Sequence, residues 1–172
     1  MGLTLVTATL PERSSFLLEM LRSVTQQTVR PDAHVIAYED GSGFVSTINR
    51  AVSMVRTEYF CLVDDDDLLY PEHVATLNES LSADVVWTWC DVEGRDWNPN
   101  SGYLPGVLAS SNYIPSNHAF RTELFRDLGG YRNVAGHPDH DLLRRAELFG
   151  ATFRNVPVVT WRYRFHGGNM SR

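Results

Sequence analysis

The segment Tyr59-Phe60-Cys61-Leu62-Val63-Asp64-Asp65-Asp66-Asp67 joins a short apolar run directly to four consecutive aspartates. A continuous apolar run of this length is typical of a strand that is buried on both faces. The four carboxylates repel one another, and no lysine or arginine lies within five residues of them to compensate. We therefore expect this strand to end at a functional edge of the fold, where positive groups from elsewhere in the chain balance the aspartates.

Similar apolar runs precede and follow this segment, and helical patterns separate them. The first helical pattern carries apolar residues at Phe16, Leu17, Met20, Leu21 and Val24. Strands that alternate with helices predict an α/β fold, with a mostly parallel central sheet flanked by helices. The predicted strands are Leu3–Ala8, His34–Tyr38, Tyr59–Val63 and Val85–Cys90, with helices over 16–27, 45–55 and from Pro71 onward.

The carboxyl ends of the predicted strands carry two acidic groups. Glu39-Asp40 follows the second strand and Asp64–Asp67 follows the third. Ligands of such sheets bind beyond the carboxyl ends of strands, so both groups belong to one candidate site. In extended geometry Asp64 and Asp66 project to one side, where they could share Mg²⁺ or Mn²⁺ with phosphate oxygens. The alternative is a solvated turn in which Asp67 caps the following helix.

Composition limits the classes of protein that this sequence could encode. Its 172 residues fit a single domain over 1–172, and the formal charge of −6 disfavours a protein that neutralises many nucleic-acid phosphates. No apolar run approaches the roughly 20 residues that span a bilayer, and we find no export or lipidation signal. Cys61 and Cys90 lie in apolar runs, which predicts reduced core thiols and a cytoplasmic location.

The second half of the chain combines an irregular segment with two helices and a final strand. Residues 91–116 are rich in Gly, Pro, Asn and Ser, which predicts either a lid over a substrate or a long connection. A short helix is predicted over Glu123–Leu128, before Gly129-Gly130, and a longer one over Pro138–Phe149, before Gly150. From Val159 to His166 apolar and polar residues alternate, so one face of a strand carries Arg162, Arg164 and His166. These three side chains could contact phosphate or metal, or could lie on the surface.

Asp139 is the second acidic residue with a distinctive position. It shares a helix face with Leu142, Leu143, Ala146 and Phe149, so we expect it to point toward the core. A partly desolvated carboxylate there suits a general base, although the helix N-terminus would also stabilise it as a cap. Asp141 is expected to face outward and to pair with Arg145.

The order of these motifs resembles that of the inverting family 2 glycosyltransferases, which have the GT-A (nucleotide-diphospho-sugar transferase) fold. Pro138 departs from the family pattern, because it stands where a glutamate is usual. The resemblance is carried by Leu5–Thr9, Glu39-Asp40-Gly41-Ser42, Asn49-Arg50-Ala51, Tyr59–Asp67 with Pro71, Leu128-Gly129-Gly130-Tyr131, His137–Leu142, and Trp161–His166 with Asn169 and Ser171.

The resemblance implies a role for each matching residue. Asp139 would be the catalytic base. Asp66 would be the principal metal ligand, with Asp64 and His166 beside it, and Arg162 and Arg164 would bind phosphate. Nucleotide-binding residues would be Thr7, Thr9, Glu39, Asp40, Asn49, Asp64 and Asp65.

The expected activity is metal-dependent, inverting transfer of a sugar from a nucleotide diphosphate sugar, with UDP-sugars favoured, to an acceptor hydroxyl. The cofactor would be Mn²⁺ or Mg²⁺. The acceptor could be a glycan, a lipid, a protein or a small molecule, with nucleic acid disfavoured by the acidic charge. Two alternatives stay open: a non-catalytic module that binds nucleotide sugars or metal, and a sugar nucleotidyltransferase, although the glycine-rich basic loop of the latter is absent after the first strand.

Overall fold

The computed structural model describes residues 2–96, 98–167 and 169, and in these ranges helices pack on a single seven-stranded sheet. The strands are β1 (Leu3–Thr9), β2 (Ala33–Tyr38), β3 (Tyr59–Leu62), β4 (Leu68–Leu69), β5 (Val85–Glu93), β6 (His118–Arg121) and β7 (Phe153–Arg164). The helices are α1 (Ser14–Thr25), α2 (Phe44–Ser53), α3 (His73–Asn78), α4 (Thr122–Asp127) and α5 (Pro138–Leu148). The predicted α/β class is confirmed.

The strand order across the sheet is β2-β1-β3-β6-β5-β7-β4. Strand β1 pairs in parallel with β2 and β3, and β5 pairs in parallel with β7. Strand β6 runs antiparallel between β3 and β5, and β4 runs antiparallel at the edge beside β7. Most strands therefore point the same way, with β6 and β4 as the reversed ones.

Two apolar cores cover the two faces of the sheet. Phe60 and Leu62 of β3 lie in one core with residues of α2, α4 and α5, whereas Tyr59 and Cys61 lie in the other with residues of α1 and α3. This alternation follows from the pleat of a strand, whose successive side chains point to opposite faces. Since both faces are covered, β3 is buried throughout, which explains its uninterrupted apolar sequence.

Strand β7 departs from the predicted alternation. It begins at Phe153 rather than near Val159, and its register against β5 shifts on both sides of Trp89. As a result Val159 is 37% exposed, whereas Thr160 is only 1% exposed. Such irregularities in register redirect the side chains of the strand that carries them.

The C-terminal end of α5 also differs from prediction. Leu142, Leu143 and Ala146 are buried as expected, but Phe149 is 64% exposed. Phe149 is the C-cap residue, beyond the last helical residue Leu148, so it leaves the core face.

The prediction that both cysteines are reduced core residues is confirmed, since Cys61 and Cys90 are both free and buried. No helix within the described ranges is long and apolar enough to cross a membrane.

Candidate active site

The acidic cluster, defined as Asp64–Asp67, begins two residues after the end of β3. Oxygen atoms of Asp64, Asp66 and Asp67 all lie within 4.8 Å of one another. The exposed fractions of Asp65, Asp66 and Asp67 are 4%, 6% and 0%. The alternative of a solvated turn is therefore wrong. Asp67 is not a helix cap either, because Glu72 is the N-cap residue of α3.

Two carboxylates of the cluster, those of Asp64 and Asp67, lie in an environment that disfavours their charge. Burial, followed by the charge of Asp66, raises the pKa of Asp64 to about 7. Burial, followed by the charge of Asp64, raises the pKa of Asp67 well above its ordinary value. The Oδ2 atom of Asp67 is buried and has no hydrogen-bond partner among the described residues. Three clustered carboxylates, one with an unpartnered buried oxygen, fit a hard divalent cation such as Mg²⁺ or Mn²⁺.

Arg13 supplies much of the positive charge that the sequence required. Its Nε donates to Asp65 Oδ1 at 2.9 Å and to Oδ2 at 3.0 Å, and its Nη2 contacts both Asp65 and Asp66. Sequence reasoning missed this residue because it lies far from the aspartates along the chain. The available signal was that Arg13 is the first basic residue and follows the carboxyl end of β1 closely.

The end of β7 and the residues that follow it close the other side of the acidic cluster. The backbone N–H of Arg164 donates to Asp67 Oδ1 at 3.2 Å, and its guanidinium donates to the backbone oxygen of Asp66. His166 Nε2 lies 3.0 Å from Asp66 Oδ2, and Asn169 Nδ2 donates to the same oxygen at 3.4 Å. Arg164 and His166 therefore lie at the cluster. Ser171 lies outside the described residues.

Asp139 lies in the first turn of α5 and is partly buried. Asn112 Nδ2 donates to its Oδ2 at 3.3 Å, and Ser116 Oγ donates to Asp64 Oδ2 at 2.9 Å. The charge of Asp139 also contributes to the raised pKa of Asp64, after burial and the nearer aspartates. Asp139 is therefore close enough to Asp64 to influence its charge, and the segment over 91–116 contacts both carboxylates.

Two threonines of β1 lie beneath the site. Thr7 is fully buried, and its hydroxyl donates to the backbone oxygen of Val63 at 2.9 Å and contacts His34 Nε2 at 2.9 Å. The Thr9 hydroxyl donates to Asp65 Oδ2 at 2.6 Å. The side chain of Thr7 is thus engaged inside the protein, while that of Thr9 orients a carboxylate of the cluster.

The end of β2 carries the other predicted acidic pair. Glu39 is partly buried, and its backbone N–H donates to the Thr9 oxygen at 2.9 Å, which brings it beside β1. Asp40 is exposed and forms a 2.6 Å ion pair with Arg50. Hydrogen bonds from Ser42, then the contact with Arg50, lower the pKa of Asp40 to about 2.

Asn49 and Arg162 are engaged elsewhere. The Asn49 amide donates to the Tyr131 backbone oxygen and accepts from the Tyr131 backbone N–H, both at 2.9 Å. Arg162 Nη1 donates to Glu93 Oε2 at 3.1 Å, and its guanidinium lies 5.9 Å from the centre of the Tyr70 ring. The structure does not bring either side chain to the acidic cluster.

The predicted ion pair between Asp141 and Arg145 is present, but the expected outward position is wrong, since the two side chains are only 26% and 13% exposed. Arg145 Nε donates to Asp141 Oδ2 at 2.8 Å. Arg145 also donates to the backbone oxygens of Leu128 and Gly130, both at 2.7 Å. The pair therefore fixes the loop between α4 and α5 instead of standing alone on the surface.

Comparisons with known proteins agree with this arrangement. The profile of "Glycosyl transferase family 2" matches residues 14–137. Uncharacterized protein y4gI of Sinorhizobium fredii (strain NBRC 101917 / NGR234) is 28% identical over an alignment 127 residues long, which covers 64% of this chain and 13% of that protein.

Two solved structures share the fold. S. aureus TarS 1-349 in complex with UDP-GlcNAc superposes with a TM-score of 0.78 at 15% identity, over 98% of this chain and 60% of that one. Mannosyltransferase PcManGT from Pyrobaculum calidifontis, in complex with GDP-Man and Mn²⁺, superposes with a TM-score of 0.72 at 17% identity. The superposition covers 97% of this chain and 58% of that one. The chain thus spans less than two thirds of each of these relatives. The predicted GT-A-like fold is confirmed.

Proposed function

The chain belongs to glycosyl transferase family 2, and from that premise we propose that it transfers a sugar from a nucleotide diphosphate sugar to an acceptor hydroxyl with the aid of a divalent cation. The observation that carries the proposal is the buried acidic cluster, in which Asp67 Oδ2 has no partner among the described residues. Such an arrangement is unfavourable without a cation, and family membership supplies the chemistry that would use one.

Asp64, Asp66 and Asp67 are the residues that would hold the cation, with His166 beside Asp66. All-oxygen ligation by carboxylates favours Mg²⁺ or Mn²⁺, and a structure of the same fold is described as a complex with Mn²⁺. When bound, the cation would neutralise the charge that develops on the diphosphate leaving group. Arg164 Nη2 is buried without a hydrogen-bond partner among the described residues, so it could donate to the diphosphate as well.

The nucleoside would lie between the ends of β1 and β2. Glu39 and Asp40 follow β2, while Asp65 is oriented by Thr9 and Arg13. We favour a UDP-sugar as the donor. GDP-sugars are a second possibility to be tested, because one related structure holds UDP-GlcNAc and the other holds GDP-Man. The proposed contacts do not include Asn49 and Arg162, because the Asn49 amide binds the backbone of Tyr131 and Arg162 pairs with Glu93.

Asp139 would act as the general base. It would accept the proton of the acceptor hydroxyl while that oxygen bonds to the anomeric carbon and the bond to the diphosphate oxygen breaks. Attack from the face opposite the leaving group would invert the anomeric configuration. The acceptor class stays open among glycans, lipids, proteins and small molecules, and the free, buried cysteines support a cytoplasmic location.

The decisive experiment is calorimetric titration of UDP-, GDP- and dTDP-sugars with and without Mn²⁺. We expect one donor to bind in a Mn²⁺-dependent manner to the wild type and to Glu93→Gln, which alters an exposed carboxylate paired with Arg162. Asp66→Asn should lose that dependence because it removes a charge from the centre of the cluster. A wild type that binds no donor with Mn²⁺ present would contradict the proposal.

The alternative of a non-catalytic binding module rests on Pro138, which replaces the glutamate of the family pattern. Such a module would bind the donor but release no nucleoside diphosphate with any acceptor. Screening acceptors for release of nucleoside diphosphate therefore separates the two functions. A nucleotidyltransferase would instead release pyrophosphate from a nucleoside triphosphate and a sugar phosphate.

A further inference from the structure

Phe16 lies in the first turn of α1 but does not behave as a core residue. Its neighbours Leu17 and Met20 are buried in the apolar core beneath α1. Phe16 itself is only partly buried and belongs to neither of the two cores. The helical pattern alone would have assigned all three residues to the same core, so its surroundings require a different explanation.

The ring of Phe16 is surrounded by nitrogen-bearing side chains. The His166 imidazole stacks on it with a centroid separation of 4.7 Å and an interplanar angle of 15°. The guanidinium carbons of Arg13 and Arg164 lie 5.5 Å and 5.1 Å from the same centroid. We call Arg13, Phe16, Arg164 and His166 the Phe16 cluster. Its members come from both ends of the described chain.

Every polar member of the Phe16 cluster also contacts the acidic cluster. Arg13 binds Asp65 and Asp66, Arg164 donates to the backbone of Asp66, and His166 approaches the Asp66 carboxylate. Arg164 is additionally paired with Glu19 of α1. The Phe16 ring therefore lies where α1 meets the end of β7 and the residues that follow it, beside the aspartates.

Electrostatics explain why an aromatic ring suits this position. Two guanidinium groups close to one another repel, and the face of an aromatic ring attracts cations that lie within about 6 Å of its centre. The flat ring also fixes the plane of the stacked imidazole, which a flexible aliphatic side chain would not do. The ring can thus hold the two arginines and the imidazole in one arrangement around Asp66.

We propose that Phe16 is a positioning residue for the divalent cation, because its ring fixes Arg13, Arg164 and His166 around the acidic cluster. The inference rests on the proposed metal-dependent function and deepens it. Phe16 touches neither the cation nor the substrate in this role. It acts through His166 and through the arginines that orient Asp65 and Asp66.

The test is a titration of metal-free protein with Mn²⁺ alone, followed by calorimetry, on three variants. Phe16→Leu keeps an apolar side chain but removes the ring face, and Phe16→Tyr restores the ring. Leu21→Ala is the matched control, since Leu21 is a partly buried residue of the same helix packed against the core. Melting temperatures in EDTA monitor the fold, and proton spectra of the His166 ring report whether the stack is present.

We expect Phe16→Leu to lower the affinity for Mn²⁺ by about tenfold or more, as is usual for residues that orient metal ligands. Its His166 ring protons should lose the upfield shift caused by the stacked ring, while Phe16→Tyr keeps both properties. Leu21→Ala should lower the melting temperature and leave the affinity for Mn²⁺ unchanged. These results together would assign the effect to the ring and not to the stability of α1.

Unchanged affinity in Phe16→Leu would overturn the inference, as would an equal loss in Leu21→Ala. If the wild type transfers sugar with Mn²⁺ but Phe16→Leu binds Mn²⁺ normally, the inference fails and the proposed function stands. If Phe16→Leu loses Mn²⁺ while the wild type binds no nucleotide sugar, the transfer function fails and the positioning role stands. A wild type that binds no Mn²⁺ contradicts both proposals.

Discussion

Asp139 is the residue at which binding and chemistry can be separated. It lies near Asp64 but outside the group of carboxylates that could share a cation. We predict that Asp139→Asn lowers the rate of sugar transfer by roughly 10²- to 10⁴-fold, because the acceptor hydroxyl loses its base. The affinity for donor and Mn²⁺ should stay close to that of the wild type, as measured by calorimetry beside the transfer assay.

Asp141→Asn is the control for this prediction, because it changes a carboxylate on the same turn of α5. It breaks the pair with Arg145 and should reduce stability while leaving transfer per folded molecule intact. If Asp139→Asn transfers sugar at the wild-type rate, the assignment of the base is wrong. If both variants lose transfer equally, the effect belongs to the loop that Arg145 holds.

His34 gives a prediction about pH and stability. Burial lowers the pKa of His34 to about 4 from its ordinary value of 6.5. Between these two values the unfolded chain takes up a proton that the folded protein refuses, so stability falls as the pH falls. The loss is up to about 1.4 kcal/mol per pH unit, and about 3 kcal/mol over the whole window.

The measurement is urea denaturation of the wild type and His34→Gln at several pH values from 7 to 4. Glutamine can keep a hydrogen bond to the Thr7 hydroxyl, which lies 2.9 Å from His34 Nε2. We expect the free energy of unfolding of the wild type to fall relative to the variant as the pH decreases. Parallel curves for the two proteins would contradict the prediction.

At the residue scale, sequence could identify the acids but not their partners. The aspartates stood out because no nearby positive charge explained them, and their clustering is confirmed. Arg13 could not be paired with them, since ion pairs between distant positions depend on the folded sheet. For the same reason, the hydrogen bonds between the Asn49 amide and the backbone of Tyr131 could not be predicted. The catalytic and binding roles themselves stay predictions.

At the element scale, the turn after α4 depends on two glycines with different surroundings. Both adopt positive φ, +75° at Gly129 and +71° at Gly130. A Cβ at Gly130 would lie 2.7 Å from Asn49 Oδ1 and 3.2 Å from a ring carbon of Phe125, whereas a Cβ at Gly129 meets nothing within 4 Å. The left-handed conformation alone costs an alanine about 1–2 kcal/mol.

We predict that Gly130→Ala destabilises the protein by at least about 1 kcal/mol more than Gly129→Ala, because it also displaces the amide that binds Tyr131. Urea denaturation of the two variants gives this difference directly. Combining Gly130→Ala with Asn49→Ala should cost less than the sum of the two single changes, since the clash disappears with the amide. Equal losses in the two glycine variants would disprove the role of Asn49.

The strands that the sequence analysis did not predict are too short to show a hydrophobic pattern. Strand β4 has two residues and β6 has four, which is too short for alternation to be read. The long apolar or amphipathic elements were predicted with ends close to the observed ones. Strand β7 was only partly predicted, because the shift in register near Trp89 interrupts its alternation. Irregular pairing is set by the partner strand, so a single segment cannot reveal it.

For the whole molecule, we predict a single cooperative unfolding transition over 1–172. One sheet passes between the two apolar cores, and Tyr59 and Phe60 are adjacent residues that belong to different cores. Neither core can therefore unfold without exposing the other. Coincident thermal transitions by far-ultraviolet circular dichroism and tryptophan fluorescence would confirm one domain. Two separated transitions would show that the chain divides.

The site brings together residues that are far apart in the sequence, and these separations influence the order in which its contacts form during folding. Arg13 and Asp65 are 52 positions apart, Asp66 and His166 are 100 apart, and Glu19 and Arg164 are 145 apart. Contacts that close such long loops lose the most chain entropy, so they form late during folding. We therefore expect the contacts that Arg164 and His166 make with Glu19 and Asp66 to be among the last to form. A cation that binds there would slow the loss of the native state and leave the rate of its formation largely unchanged.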